Sequence, residues 1–146
     1  ILIVMGLITM IAAFGLFISM DVYRGNTIHS EKNIVISVLQ KARSRTINNI
    51  NERKHGVRFG ISPDCTDGQR CYILFEGNNW ASATNKEEIP ASHDLVIDNG
   101  AGGPAPDVIF SQLTAETTNA TVRMMGGAKT FKITVNAEGG ISWINL

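Results

Sequence analysis

The chain has 146 residues, 44% of them apolar and 18% charged, and its formal net charge is zero. This length suggests one domain with an appendage. The neutral total hides three segments: residues 1–20 carry no charge, residues 21–54 carry seven basic and three acidic residues, and residues 55–146 carry six basic and ten acidic residues. The net charges of the last two segments are therefore +4 (7 − 3) and −4 (6 − 10). The negative third segment disfavours a protein that attracts nucleic acid through overall charge.

The first element is the apolar run "ILIVMGLITMIAAFGLFISM" at residues 1–20. About twenty apolar residues are needed to cross a hydrocarbon core of roughly 30 Å as a helix. A cleaved signal peptide would show basic residues before the run, a shorter apolar core and a small-residue cleavage site after it. In this sequence no basic residue stands before Ile1, and the stretch from Met20 to Tyr23 offers no such cleavage site. We therefore expect a retained transmembrane helix. A buried core helix is disfavoured, because the run is apolar around its whole circumference.

A helical pattern continues beyond the apolar run. Apolar or small residues recur with the 3.6-residue period of an amphipathic helix, at Ile28, Ile34, Val35, Val38, Leu39, Ala42, Thr46 and Ile50. No proline precedes Pro63, so one rod from Ile1 to about Asn49 is predicted, roughly 70–75 Å long. Gly15 and Gly25 are weak points in this rod. Gly56 is predicted as its stop.

After Gly56 the pattern changes to that of β-strands. The candidates are "HGVRFGIS", "RCYILFEG", "DLVID", "DVIFSQL", "ATVRMMG" and "KTFKITVN", separated by loops rich in glycine and proline. A turn at Glu138–Gly140 predicts a hairpin that joins Phe131, Ile133 and Val135 to Ile141 and Trp143. This part is expected to be an antiparallel β head of about 90 residues.

The fold class predicted from these patterns is α+β, with a long N-terminal helix packed on an antiparallel β head. Residues 1–25 are expected to form a transmembrane or filament-core stalk, residues 26–54 the amphipathic half of the same helix, and residues 55–146 the head. The amphipathic half needs a partner for its apolar stripe, and the head needs a cover for one sheet face, so the two are expected to pack together.

Two cysteines, Cys65 and Cys71, flank the turn-rich stretch "TDGQR". No CxxC motif or nearby histidine supports a zinc site. A disulfide is expected, which implies an oxidising compartment. Two free buried thiols are the alternative.

The opening stretch "ILIVMGLITMIAA" resembles the hydrophobic start of type IV pilins and type II secretion pseudopilins. The stretch from Leu39 to Thr46 is similar to the Leu-x-x-Ala-Arg-x-x-Ala pattern of H-type pseudopilins and FimT-like minor pilins, with Thr46 in place of the last alanine. The ending "FKITVNAEGGISW" resembles the terminal hairpin of that group. Many type IV pilins have a helix-bending proline in the second half of the apolar segment, and residues 1–20 contain none.

This resemblance implies a pilin-like fold and a structural subunit of a type IV pilus-like or pseudopilus filament. By the same resemblance, five mature residues that include a glutamate would precede Ile1, after a prepilin peptidase removes a leader. The implied partners are copies of the chain or other pilins, an inner-membrane assembly platform and that peptidase, with no small-molecule substrate. The implied location is the inner membrane before assembly, then an extracellular or periplasmic filament. The residues expected to pack stalks together are Ile1, Ile3, Val4, Gly6, Leu7, Ile8, Ile11, Ala12, Gly15 and Leu16.

A minor or tip pilin, or a membrane-anchored binding module that recognises a surface ligand or DNA, is the alternative function. Some FimT-like pilins bind DNA through basic residues near the C-terminus, where this chain has Arg123, Lys129 and Lys132. The net negative head and the lack of an aromatic and basic stacking platform oppose DNA binding.

No catalytic constellation stands out among the scattered His29, His55 and His93, so no enzymatic activity is predicted. No cofactor is expected, although calcium stays open as a ligand of loop carboxylates. Those carboxylates are Asp64, Asp67, Asp98 and Asp107. They lack the spacing and the terminal glutamate of an EF-hand loop.

Overall fold

The structure is a computed structural model that describes residues 2–61, 63–66, 68, 70–92, 95–127 and 129–146. Within helix α1 (Leu2–Ile47), the side chains described before Asn26 are those of residues 4–6 and 10–11. His93 and Asp67 lie outside the described residues.

Helix α1 ends at Ile47, close to the predicted end, but the predicted stop at Gly56 is wrong. Asn49 adopts a left-handed conformation with φ 51°, which asparagine tolerates at the end of a helix. A short 3₁₀ turn, Ile50–Glu52, follows before the chain extends. Gly56 lies inside strand β1 instead, where a Cβ atom would come within 2.6 Å of the Phe75 ring.

In the described part of the chain, eight strands form two four-stranded antiparallel sheets. Sheet 1 has the order β3-β2-β1-β5 and sheet 2 the order β4-β6-β7-β8. The strands are β1 (His55–Gly60), β2 (Cys71–Glu76), β3 (Thr84–Pro90), β4 (Val96–Asp98), β5 (Val108–Phe110), β6 (Ala120–Gly126), β7 (Lys129–Val135) and β8 (Ile141–Asn145).

Most of these strands coincide with the predicted stretches, and the terminal hairpin is confirmed. Its turn is closed by hydrogen bonds from the Gly139 amide to the Asn136 carbonyl and from the Asn136 amide to the Gly140 carbonyl. Strand β3 was missed, because "TNKEEIP" is charged and largely exposed and so has no apolar alternation. It forms one edge of sheet 1.

The main core lies between the two sheets and α1. Helix side chains contribute the predicted stripe: Ile28, Val35, Leu39 and Ala42 are fully buried, whereas Ile50 is 42% exposed. The same cluster takes side chains from sheet 1 and from sheet 2, including Val57, Tyr72, Leu74, Phe110, Val122, Met124, Phe131 and Ile133.

The predicted fold class, a long N-terminal helix packed on an antiparallel β head, is wrong. The folded body is mostly β, with one packed helical segment, residues 26–47, and two antiparallel sheets of eight strands in all. The sequence predicts that the helix covers one face of a single sheet, whereas the helix contacts strands of both sheets. Among the described side chains, none before Asn26 is buried, so the start of α1 adds nothing to the described core.

Candidate functional site

The start of α1 carries apolar side chains that the folded body leaves exposed. Val4, Met5, Met10 and Ile11 are 59%, 65%, 59% and 70% exposed. Of the residues predicted to pack stalks together, Val4, Gly6 and Ile11 are described, and all three are exposed. The side chains of the others lie outside the described residues, namely Ile1, Ile3, Leu7, Ile8, Ala12, Gly15 and Leu16.

Among the described residues, no helix combines the length and the apolar character needed to span a membrane.

The predicted disulfide is confirmed. Cys65 and Cys71 are bonded, with their Cα atoms 5.8 Å apart, and both are buried in a small apolar cluster with Ile73 and Trp80. The Glu88 carboxylate lies near the two sulfur atoms. Because both sulfurs are used in the disulfide, this trio does not offer two thiolate ligands to a metal.

Three of the four loop carboxylates considered for calcium, Asp64, Asp98 and Asp107, lie among the described residues, and each is paired with an arginine. Arg58 donates to Asp64 through Nε at 2.9 Å and to Asp107 through a terminal nitrogen at 3.0 Å, so the guanidinium stands where a shared cation would be needed. Asp98 accepts two hydrogen bonds from Arg123, at 2.9 and 2.6 Å.

The basic residues predicted as DNA contacts do not act as three free cations. Arg123 is bound to Asp98, and this hydrogen bond holds the pKa of the Asp98 carboxyl below its usual range. Arg123 and Lys132 are opposite each other on β6 and β7. Lys129, at the start of β7, has its Nζ 3.0 Å from Nε2 of His29 on α1.

The basic residues of α1 also meet acids of the same chain. Lys41 and Arg45 both bind Glu87 on β3, and the hydrogen bond from Lys41 is the leading cause that lowers the pKa of Glu87. Arg43 lies elsewhere, near Gly139 in the terminal hairpin, as expected for residues two apart on a helix. The positive and negative segments of the sequence are thus partly matched within one subunit.

One buried carboxylate ties the helix to sheet 1. Glu31 accepts a hydrogen bond from the Tyr72 hydroxyl at 2.8 Å and from the Ser92 amide at 3.1 Å. Burial, followed by the nearby charge of Glu31, raises the pKa of the Tyr72 phenol well above its usual range. The helical periodicity of the sequence does not predict this pair, because that pattern is built from apolar and small residues and Glu31 is neither.

A polar cleft of about 410 Å³ lies beyond the C-terminal end of α1. We call it the junction cleft and define it by its lining residues, Glu52, Arg53, Lys54, Gly77, Asn78, Ser82 and Gln112. None of these residues was predicted as a site. The sequence signal that points to it is "NNINERK", in which asparagines can hold the left-handed turns that present the two cations.

Two other clefts are lined by cations that acids neutralise. One, of about 300 Å³, has Arg58 between Asp64 and Asp107, beside apolar residues such as Phe59 and Ile97. The other is an open groove along α1 that ends at Lys41, which binds Glu87.

The histidines form no catalytic arrangement in the described residues. His55 is buried in β1, with Nε2 3.0 Å from the Ile50 carbonyl, and His29 packs edge-on against Phe131.

Comparison with models of known protein families, with characterised proteins and with solved structures found no match to this chain.

Proposed function

We propose that this chain is a structural subunit of a type IV pilus-like or pseudopilus filament, assembled through the apolar start of helix α1. The observation that carries the proposal is the exposure of Val4, Met5, Met10 and Ile11, which lie on one helix and have no cover within the described chain. Contiguous exposed apolar surface is typical of a site that meets a protein partner or a membrane.

The assembly mechanism follows from where this apolar surface can be buried. Before assembly, residues 1–20 would lie in the inner membrane, and after extraction the same surface would pack against the helices of neighbouring copies in an extracellular or periplasmic filament. Lipid tails and packed helices are similarly apolar, so this exchange is close to balanced in free energy. Gly6 would allow a neighbouring helix to approach closely.

The experiment that tests the proposal compares Gly6→Arg with Gln40→Arg in the native host. Filaments sheared from cells are imaged by electron microscopy and identified by mass spectrometry. An arginine in the apolar stretch costs about 2.5–3.5 kcal/mol in a lipid-like environment, so Gly6→Arg should abolish filaments. Gln40 is exposed on the packed part of α1, so its variant should retain them. Filaments of normal abundance from Gly6→Arg would refute the mechanism.

A minor or tip subunit, or a membrane-anchored binding module, is the second candidate, and the junction cleft is the feature that favours it. The same sheared fraction distinguishes the two functions. A major subunit dominates the filaments, whereas a minor or tip subunit is present in traces and a non-polymerising module is absent from them.

A further inference from the structure

Two cations, Arg53 and Lys54, line the junction cleft. Within the described residues, neither Arg53 nor Lys54 forms an ion pair, whereas Arg45, Arg58 and Arg123 each do. Arg53 has one long hydrogen bond, of 3.4 Å, to the Thr84 hydroxyl. The cleft therefore offers positive charge that the rest of the described fold leaves unused.

The backbone around the cleft is held in unusual conformations. Asn49, Asn51 and Glu52 have φ values of 51°, 56° and 52°, although none of them is a glycine. Such residues cost on the order of 1–3 kcal/mol each and persist where surrounding contacts enforce them. Here Gln112 donates to Asn49 at 2.5 Å, and Asn51 donates to the buried Glu76 at 2.6 Å.

The opposite wall is built by the turn after β2. Gly77 has φ 145°, which favours glycine, and donates its amide to the Lys54 carbonyl at 2.9 Å. A Cβ at this position would lie 3.1 Å from the Ser82 carbonyl oxygen, a tight contact. Glu76, which accepts from Asn51 beside one wall and also from Asn85, directly precedes Gly77 of the other wall, so one buried carboxylate joins the two sides. The cleft is thus preorganised, which reduces the ordering cost of binding.

We infer that the junction cleft binds a small hydroxylated carboxylate, of the kind found in a uronic acid unit of an acidic saccharide. Arg53 and Lys54 supply the charge for the carboxylate. Asn78, Gln112 and the Glu52 carboxylate offer polar groups for hydroxyls, and Glu52 can only accept. A volume of about 410 Å³ lies within the range of small-ligand sites.

Glu52 distinguishes this ligand from a bare anion. A carboxylate in the lining repels every anion, but a uronic acid offsets part of this repulsion because its hydroxyls donate hydrogen bonds to Glu52, which sulfate and phosphate dianions cannot do. This proposal is independent of filament assembly, because it concerns the folded body and not the start of α1.

The test is a titration of the ¹⁵N-labelled full chain in a nonionic detergent, at low salt, with glucuronate, with glucose and with sulfate. Glucuronate should shift the amide signals of Gly77 and Asn78, and glucose should not. Arg53→Gln/Lys54→Gln should weaken glucuronate binding by about tenfold or more, as expected for the loss of charge-assisted contacts. Glu52→Gln should strengthen sulfate binding by a larger factor than glucuronate binding, because it removes a repulsion felt by both anions but weakens an acceptor that only the glucuronate hydroxyls use.

The matched control is Lys129→Gln/Lys132→Gln. It also removes two positive charges, but from β7, and should leave glucuronate binding unchanged. Well-dispersed spectra show that each variant is folded. The proposal is overturned if glucuronate produces no localised shifts at millimolar concentrations, if glucose produces the same shifts, or if both double variants bind equally. Sulfate binding that exceeds glucuronate binding in the unmodified chain would also overturn it.

Discussion

The Tyr72 hydroxyl donates a hydrogen bond of 2.8 Å to the Glu31 carboxylate, and both residues are buried between α1 and β2. Glu31 is a buried charged residue, and its other carboxylate oxygen accepts a hydrogen bond from the Ser92 amide. The pair therefore joins the helix, sheet 1 and the connection after β3 at one point.

Tyr72→Phe should lower the free energy of unfolding by about 1.5–3 kcal/mol, because it leaves a buried carboxylate with one partner fewer. Urea denaturation followed by circular dichroism measures the change. Phe59→Leu is the control, since Phe59 packs edge-on against Tyr72 without a hydrogen bond to Glu31. A loss for Tyr72→Phe no larger than that for Phe59→Leu would show that packing, rather than the hydrogen bond, dominates.

The same pair predicts a loss of stability at high pH. Burial raises the pKa of Tyr72 in the folded state, whereas in the unfolded chain tyrosine titrates near about pH 10. The unfolded state therefore loses a proton first, and stability is full below that pH and declines as the pH rises above it. Denaturation midpoints at pH 8 to 11 should fall more steeply for the unmodified chain than for Tyr72→Phe. Parallel curves would contradict this.

Asp98→Asn should destabilise the chain at neutral pH and have less effect in acid. The hydrogen bond from Arg123 lowers the pKa of the Asp98 carboxyl in the folded state. The stability that the Asp98 carboxylate contributes is therefore fully present at a pH above its unfolded-state pKa of about 3.9. It is lost as the pH falls through the lower pKa of the folded state. Urea midpoints of the two proteins should converge below pH 3. A constant difference across the whole pH range would exclude this origin.

Removal of the disulfide should lower the free energy of unfolding by roughly 2–2.5 kcal/mol, the chain-entropy contribution of a loop of about seven residues. The comparison is between the unmodified chain and Cys65→Ser/Cys71→Ser, each measured with and without reductant. The reductant should affect only the unmodified chain. If reduction leaves its midpoint unchanged, the cross-link contributes nothing to stability.

Part of this fold is readable from periodicity. The helix positions that are buried recur at helical spacing: Ile28, Val35, Leu39 and Ala42. The strands β1, β2 and β7 alternate or are continuously apolar. The pattern is visible because a buried position requires an apolar side chain. Strand β3 lacks such a pattern, because it is an exposed edge held by backbone pairing to β2.

The sheet arrangement and the candidate site could not be predicted in the same way. The division of the strands between two sheets depends on contacts between residues far apart in sequence, such as His55 opposite Phe110. The junction cleft likewise joins residues 52–54, 77–78, 82 and 112 from separate loops. Glu76 also has a lowered pKa despite its burial, which by itself would raise it; the hydrogen bonds from Asn85 and Asn51 outweigh that effect. Only the fold brings those donors together.

The guanidinium of Arg58, held between Asp64 and Asp107, has a consequence for the conditions in which the protein keeps its shape. Many extracellular domains bind a divalent ion that holds two acidic loops together, and they lose stability when that ion is removed. Here the positive charge is covalently part of the chain. A chelator that strips divalent ions from the surroundings leaves this connection between β1 and its neighbouring loops in place.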